Sequence, residues 1–411
     1  MESKINKHFC IQPFVNTTTR ITGGNYSCCN IKRSTSDIKE ESPTEFFNSD
    51  YTANFRKKLL EGQKLSECGT CHYQEYKSNN SQRIEYNRYY NILNDQPIEY
   101  YHKMLKKLRI SELKNPLYSD LHISNLCNLK CLSCNDKDSS KFHAENKQLN
   151  ISRFPDENFS VTKAEMLDAV RSVITNDLLF LDLRGGETLM VPEIKTILKN
   201  VNEKQASKIT LKIQTNGNVV PDEDWCNIFK KFKNTKVNVS VDAYGDHNHY
   251  IRYPSDWSKT LATIGKLQEQ NIKFLINTVV SNLNIMVIDK LFQWIQENNY
   301  LNYFYIMESP LHYRPTNLPQ SLLDIATKRL QNVKMNFKIE TCNKKLEDLI
   351  TMCEISDQTH WTSFCKEIIM RDNFRKNNIA DVIPEMTQHL EKFKILVNNR
   401  KENNAKIQRD Q

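Results

Sequence analysis

From residue 119 onward, short apolar runs alternate with helical periods. The runs are DLHISNL (120–126), LLFLDLR (178–184), ITLKIQTN (209–216), VNVSVDA (237–243), KFLINTVVS (273–281) and YFYIMES (303–309). Each has strand length and strand-forming residues. Between them, Thr162 and Glu165 form a capping box ahead of Leu167, Val170 and Ile174. Further stripes at i, i+3, i+4, i+7 are Ile194, Ile197, Leu198, Val201, then Trp225, Ile228, Phe229, Phe232, then Ile288, Leu291, Phe292, Ile295. Trp257, Leu261 and Ile264 mark a weaker helix. Six strands alternating with helices predict a parallel sheet with right-handed crossovers. Near-continuous apolar strands predict a sheet covered on both faces or closed as a barrel. In such sheets chemistry gathers at the C-terminal strand ends.

The flanks read differently. Residues 1 to about 90 read as irregular and polar, apart from one amphipathic piece, EFFNSDYTANFRKKLLEG, with Phe47, Tyr51, Phe55 and Leu59 at i+4 steps and Gly62 as a stop. Residues 84–118 read as a helical connector ending before Pro116. Beyond about residue 315 the chain reads as mostly helical, with a stripe at Leu346, Leu349, Ile350 and Cys353. NNRKENNAKIQRDQ, at the end, reads as a frayed or disordered tail.

Composition narrows the class. With 411 residues, 39% hydrophobic and 26% charged, the chain is of ordinary globular type. No stretch has the apolar length to span a bilayer, and MESKINKHFCIQ shows no apolar signal region, so the expectation is a cytoplasmic protein without membrane contact. The net charge is +8, from 57 Lys+Arg and 49 Asp+Glu. Residues 1–109 hold 17 Lys/Arg against 12 Asp/Glu, a mild excess that leaves a nucleic-acid partner open without arguing for one.

The twelve cysteines change the picture. Cytosolic thiols stay reduced, and eight of these are clustered: Cys10, Cys28, Cys29, Cys68, Cys71, Cys127, Cys131 and Cys134. Clustered reduced thiols point to metal. Cys127, Cys131 and Cys134, spaced C-x3-C-x2-C, directly follow the first strand. Structural zinc wants four ligands, commonly in pairs, and neither His122 nor His143 completes a zinc pattern. Three thiolates on one loop suit a four-iron cluster with one iron left for a small molecule; zinc is the alternative. Gly185–Gly186–Glu187 follow the second strand. The glycines allow backbone to approach a ligand, and Glu187 can pair with an amine, although a simple tight turn would use the same glycines. Cys226 and Cys353, on or beside apolar stripes, read as small core hydrophobes.

With these residues the chain resembles the radical S-adenosylmethionine (radical SAM) superfamily. The matching pieces are C-N-L-K-C-L-S-C at 127–134, G-G-E at 185–187, T-N-G-N at 215–218, S-V-D-A at 240–243, Tyr250–Ile251–Arg252 and V-S-N-L-N at 280–284. The resemblance implies an α/β fold, a partial (β/α)6 barrel, and an enzyme. Cys127, Cys131 and Cys134 would hold three irons of a [4Fe–4S] cluster, and the fourth iron would bind S-adenosylmethionine. One electron would cleave that molecule to methionine and a 5′-deoxyadenosyl radical, which takes a substrate hydrogen. Gly185, Gly186 and Glu187 would meet the methionine amino group, Asn216, Ser240 and Asp242 the ribose, and Arg252 the carboxylate. Ser133 stands where the family often has an aromatic residue near the adenine.

Cys10, Gly23-x4-Cys28 and Cys68-x2-Cys71 resemble a "twitch" auxiliary-cluster domain, a short relative of the SPASM domain, placed here before the barrel. That implies a second [4Fe–4S] cluster. Gly24-x4-Cys29 offers a competing frame for the second ligand, and zinc is the rival metal. The expected division is 1–90 twitch-like domain, 91–118 helical connector, 119–315 radical SAM barrel, 316–395 helical C-terminal extension and 396–411 tail. Glu75, Ser81 and Arg83 also resemble that subfamily; their simplest role is to tie the connector down. The expected partners are a flavodoxin- or ferredoxin-like electron donor and a substrate, by analogy a peptide or protein, with a small molecule such as a sugar or nucleotide as the alternative. The rival from another class is a non-catalytic zinc protein that binds nucleic acid.

Overall fold

One eight-stranded sheet, ordered β2-β1-β3-β4-β5-β6-β7-β8, organises the protein in this computed structural model, which describes residues 6–78, 81–94, 103, 114–152, 161–334 and 336–393. The strands are β1 (Asn16–Thr19), β2 (Asn25–Tyr26), β3 (Tyr118–His122), β4 (Phe180–Arg184), β5 (Thr210–Thr215), β6 (Asn234–Ser240), β7 (Phe274–Val280) and β8 (Asn302–Ile306). β3 to β8 are parallel neighbours and fall where the six apolar runs lie.

The register corrects one expectation. The strands are not continuously apolar. Leu121, Leu183, Ile213 and Val237 are cross-strand partners, and all are buried in the core under the helices. The next row, Asp120, Asp182, Lys212 and Lys236, is charged throughout. Side chains alternate across a strand, so one face is apolar and the other polar. The polar face lines the barrel interior, where charge is tolerated because it is paired. Arg184 Nε donates to Asp120 at 2.7 Å, Lys212 Nζ to Asp182 at 2.7 Å, and the Tyr118 hydroxyl to Asp182 at 3.2 Å.

The helices match their stripes. Thr162 and Glu165 form the capping box of Lys163–Val173, and Asp222 caps Glu223–Lys231 through the Trp225 amide. The weaker period becomes Trp257–Glu269, on which Leu261 is exposed.

The N-terminal part is more regular than expected. β1 pairs parallel with β3 and antiparallel with β2, so this segment extends the barrel sheet. Helices Pro43–Phe47, Asp50–Leu60, Gly69–Ser78 and Gln82–Asn94 follow. Their local signals are caps at Ser42 and Ser49, which split the amphipathic piece in two, and Gly62, at φ +82°, which stops it. Most of the expected connector and the tail from 396 lie outside the described residues. Helices Gln320–Gln331, Glu340–Met352 and Trp361–Arg375 form the C-terminal extension. Among the described residues no helix is long and apolar enough to cross a membrane.

Candidate active site

The cysteine loop leaves the C-terminal end of β3 and is held from several sides. Ile123 N donates to the Arg184 carbonyl (2.8 Å), Glu187 N to that of Leu126 (2.8 Å), Lys130 N to that of Tyr253 (2.6 Å) and Leu132 N to that of Ile251 (2.8 Å). Gly185 and Gly186 have φ of +108° and +50°. A Cβ on Gly186 would lie 2.3 Å from the Leu126 carbonyl oxygen, and one on Gly185 would lie 2.6 Å from that of Ser124. No side chain fits there. The glycine pair is thus a seat for the loop that carries Cys127.

Cys127 and Cys131 are buried around Leu129, with Cys134 packed against them. The Leu129 amide donates to the Cys127 sulfur at 3.4 Å. Burial pushes the Cys131 thiol up to about 11. It also raises that of Cys134, with Cys131 adding to the effect. Thiols this dry ionise when a metal takes them. Among the described residues no three His, Cys, Asp or Glu side chains already converge on one ion position. A four-iron cluster does not ask for that, because each thiolate binds its own iron. A donor set of three thiols on one loop, two of them buried, fits such a cluster with one iron unclaimed.

The other candidates ring this loop. Asn216 Nδ2 donates to Asn128 Oδ1 at 2.7 Å and lies 3.8 Å from the Cys127 sulfur. Asp242 is buried and accepts from the Val279 amide (2.8 Å), Arg252 Nη1 (2.8 Å) and the Ser133 hydroxyl (3.4 Å). Burial lowers the Arg252 pKa, but Cys131 and Asp242 together raise it, so the guanidinium stays charged. Its buried Nε has no protein partner among the described residues, an orphaned donor beside the cysteines that fits an anionic ligand group. Half-buried Ser240 accepts from Gln214 Nε2 at 2.7 Å.

Glu187 lies deeper. It is fully buried, and its carboxylate accepts from the Asn216 amide (2.6 Å), the Thr215 hydroxyl (2.8 Å) and the Leu189 amide (3.1 Å). It fixes the end of β5 and so aims Asn216 at the cysteine loop. Burial raises its pKa to about 7 against these bonds.

Sequence reasoning missed the supports. Asn248 Oδ1 accepts from the Asp242 and Ala243 amides at 3.0 and 3.3 Å. Glu145, buried, binds Arg371 (2.8 Å), Arg375 (2.7 Å) and Lys130 (3.0 Å), and Arg375 also donates to the Lys130 carbonyl at 2.7 Å. The C-terminal extension therefore braces the loop between Cys127 and Cys131. The signal for that was absent, because the partners lie more than two hundred residues apart.

Residues 121–295 match the model of the Radical SAM superfamily. That stretch, under half of the chain, is similar to a radical SAM domain. The cofactors of such a domain are a [4Fe–4S] cluster and S-adenosylmethionine, and its proteins are enzymes. A GTP 3′,8-cyclase of Clostridium perfringens (strain SM101 / Type A) is 27% identical over 168 residues, 40% of this chain and 46% of that protein. An AdoMet-dependent heme synthase of Methanosarcina barkeri (strain Fusaro / DSM 804) is 26% identical over 177 residues, 42% of this chain and 44% of that protein. The match spans less than half the length of either relative. A solved structure, native anSMEcpe with bound AdoMet, is 20% identical with a TM-score of 0.37, over 61% of this chain and 65% of that one.

Outside residues 121–295, the N-terminal cysteines form a second group. Cys28 and Cys68 pack against the apolar cluster of Phe9, Ile11, Phe14 and Phe55. Asn30 joins two of them: its Nδ2 donates to the Cys71 sulfur (3.3 Å) and its amide lies 3.5 Å from that of Cys28. Burial raises the thiols of Cys10 and Cys68, the latter to about 12, and Cys71 raises both further. Cys29 lies against Cys28 and also faces helix Gln82–Asn94, 3.6 Å from the Tyr86 hydroxyl and 3.8 Å from Gln82 Oε1. Arg83 holds Glu75 through two bonds (2.9 and 2.7 Å) and donates to the Phe9 carbonyl (2.8 Å), tying helix Gln82–Asn94 to the chain before Cys10. Cys226, Cys342, Cys353 and Cys365 are buried outside both groups.

Proposed function

We propose that the protein cleaves S-adenosylmethionine reductively and uses the product radical to take a hydrogen atom from a substrate. The observation that carries this reading is the trio of buried Cys127 and Cys131 and half-buried Cys134, with Arg252 Nε, unpaired among the described residues, beside it. When bound, the cluster and S-adenosylmethionine supply the one-electron chemistry. The chain's own residues do the rest. Cys127, Cys131 and Cys134 ligate. Asn216, Ser240 and Asp242 orient the ribose, and Arg252 takes the carboxylate in its guanidinium fork. The Gly185–Gly186 backbone meets the amino group, and Glu187 acts by holding Asn216. Burial of Cys127 and Cys131 would help keep water from a reactive intermediate.

Cys10, Cys28, Cys68 and Cys71 are proposed as ligands of a second [4Fe–4S] cluster in a twitch-like domain spanning residues 1–90, with Cys29, which touches Cys28 but also Tyr86 and Gln82, as the neighbour outside the set. A flavodoxin- or ferredoxin-like donor would supply electrons in the cytoplasm. The proposed substrate is a peptide or protein, following the auxiliary-cysteine pattern. A small polar molecule is the second reading, favoured by the polar inner face of the barrel. Anaerobic reconstitution tests the core of the proposal: about eight irons per chain and formation of 5′-deoxyadenosine are expected. Stoichiometric zinc in both sites would overturn it.

A further inference from the structure

Among the described residues the sheet is open between β8 and β2, its two edge strands. Across that gap helix Gln82–Asn94 meets β8: the Tyr303 hydroxyl lies 3.4 Å from the Glu85 carboxylate. Tyr303 and Tyr305 are partners of Asn277 and Val279, and Asn277 is the partner of Ser240. Both tyrosines therefore share a face with Ser240. Two strand spacings separate Tyr303 from Ser240, about 10 Å. From the C-terminal extension, Lys345 reaches over this edge. Its Nζ stands 3.7 Å over the Tyr303 ring and 5.4 Å over that of Tyr305.

The charge balance there is uneven. Arg184 and Lys212 are paired with Asp120 and Asp182. Lys345 pairs with no carboxylate among the described residues, and its hydrogen bond to the Phe304 carbonyl is long, 3.4 Å. An ammonium has three donors, so two remain. On the neighbouring ring, whose centre is 5.4 Å from Nζ, the Tyr305 hydroxyl has no hydrogen-bond partner among the described residues, and the residue is 48% exposed on an inner-face position. Burial lowers the Lys345 pKa, as expected of a cation lacking a counter-ion; Glu85 partly offsets this.

We infer that Lys345 and the Tyr305 hydroxyl, at the open edge of the barrel, form an anchor for an acidic group, a carboxylate or a phosphate, on the molecule that the enzyme acts on. This rests on the reading above for the molecule being a substrate. An acidic group held there leaves the rest of a compact substrate about 10 Å of reach toward Ser240. Glu85, the nearest opposing carboxylate, sets the limit on affinity.

Calorimetric titration of the reconstituted full-length protein with inorganic phosphate and, separately, with acetate tests the inference. The tighter of the two identifies the acidic group. Lys345→Met should weaken that binding by roughly tenfold, the scale of one charge-assisted contact. K345R should keep most of it, and Glu85→Gln should tighten it several-fold by removing the opposing charge. Lys204→Met, an exposed lysine elsewhere, should change nothing. Equal binding by K345M and wild type, or no binding of either anion by wild type, overturns the inference. Formation of 5′-deoxyadenosine by the same wild-type preparation is measured alongside; its absence overturns the proposed function and leaves the anion result to decide this site.

Discussion

Two cysteine groups in one chain are built in opposite ways. The Cys127–Cys134 loop is pinned by backbone bonds to the strand end at Arg184, to the Leu126–Glu187 contact, and to Ile251 and Tyr253, and is braced by Arg375 from the C-terminal extension. The N-terminal group rests on a small apolar cluster, the Asn30 bridge and the Arg83 tie. The first is held by residues from across the chain, the second, Leu117 apart, by residues within about ninety positions of one another. A site held by many elements is rigid and intolerant of change. A site held locally can be altered without loss of the barrel.

The largest contrast is expected from the ligands themselves. Cys127→Ala, Cys131→Ala and Cys134→Ala together should abolish 5′-deoxyadenosine formation and remove about four irons. Cys68→Ala with Cys71→Ala should also remove about four irons yet spare uncoupled cleavage, with substrate turnover lost. Iron analysis with product chromatography separates the two. Cys28→Ala against Cys29→Ala sharpens the point: only the first should lose iron.

Next comes the brace. Arg371→Ala or Arg375→Ala strips partners from buried Glu145, and breaking such a buried pair costs about 3–5 kcal/mol. Denaturant unfolding measures it, and S-adenosylmethionine affinity should fall in parallel. An unchanged midpoint contradicts the bracing role.

Glycine substitutions give a smaller but cleaner contrast. Gly186→Ala drives a Cβ to 2.3 Å from backbone oxygen at positive φ and should cost about 2 kcal/mol or more. Gly69, beside Cys68, has nothing within 4 Å of an added Cβ, so Gly69→Ala should be neutral or stabilise by up to about 1 kcal/mol through helix propensity.

The smallest is a pH effect. Glu187 has a raised pKa in the folded protein, so the native state holds its proton more tightly than the unfolded chain does. Its contribution is complete below about pH 4.5 and is lost as pH rises through about 7. At about 1.4 kcal/mol per pKa unit the loss is a few kcal/mol at most. Stability curves of wild type and Glu187→Gln should therefore diverge between those values, and parallel curves contradict the placement.

Much of the barrel was legible because its strands and stripes are local. Val170, Ile194 and Phe229 repeat at helical spacing, and Cys127, Cys131 and Cys134 lie within one loop. What escaped was long-range or masked by mixed signals. The polar inner face was hidden because Leu181–Asp182–Leu183 reads as apolar when summed rather than alternated. β1 was hidden because NTTT has no hydrophobic residue and becomes a strand only by pairing with β3. Nothing in G-G-E reveals that Thr215 and Asn216 bond the Glu187 carboxylate, because those partners lie on another strand end.

The central claim is that one iron at the barrel mouth lacks a protein thiolate and takes S-adenosylmethionine. Electron paramagnetic resonance of the Cys68→Ala, Cys71→Ala protein, reduced with the barrel cluster alone present, tests it most directly. Adding S-adenosylmethionine should change the g-values of the reduced cluster, and Arg252→Ala should weaken the affinity of that response. A spectrum unmoved by saturating S-adenosylmethionine contradicts the account.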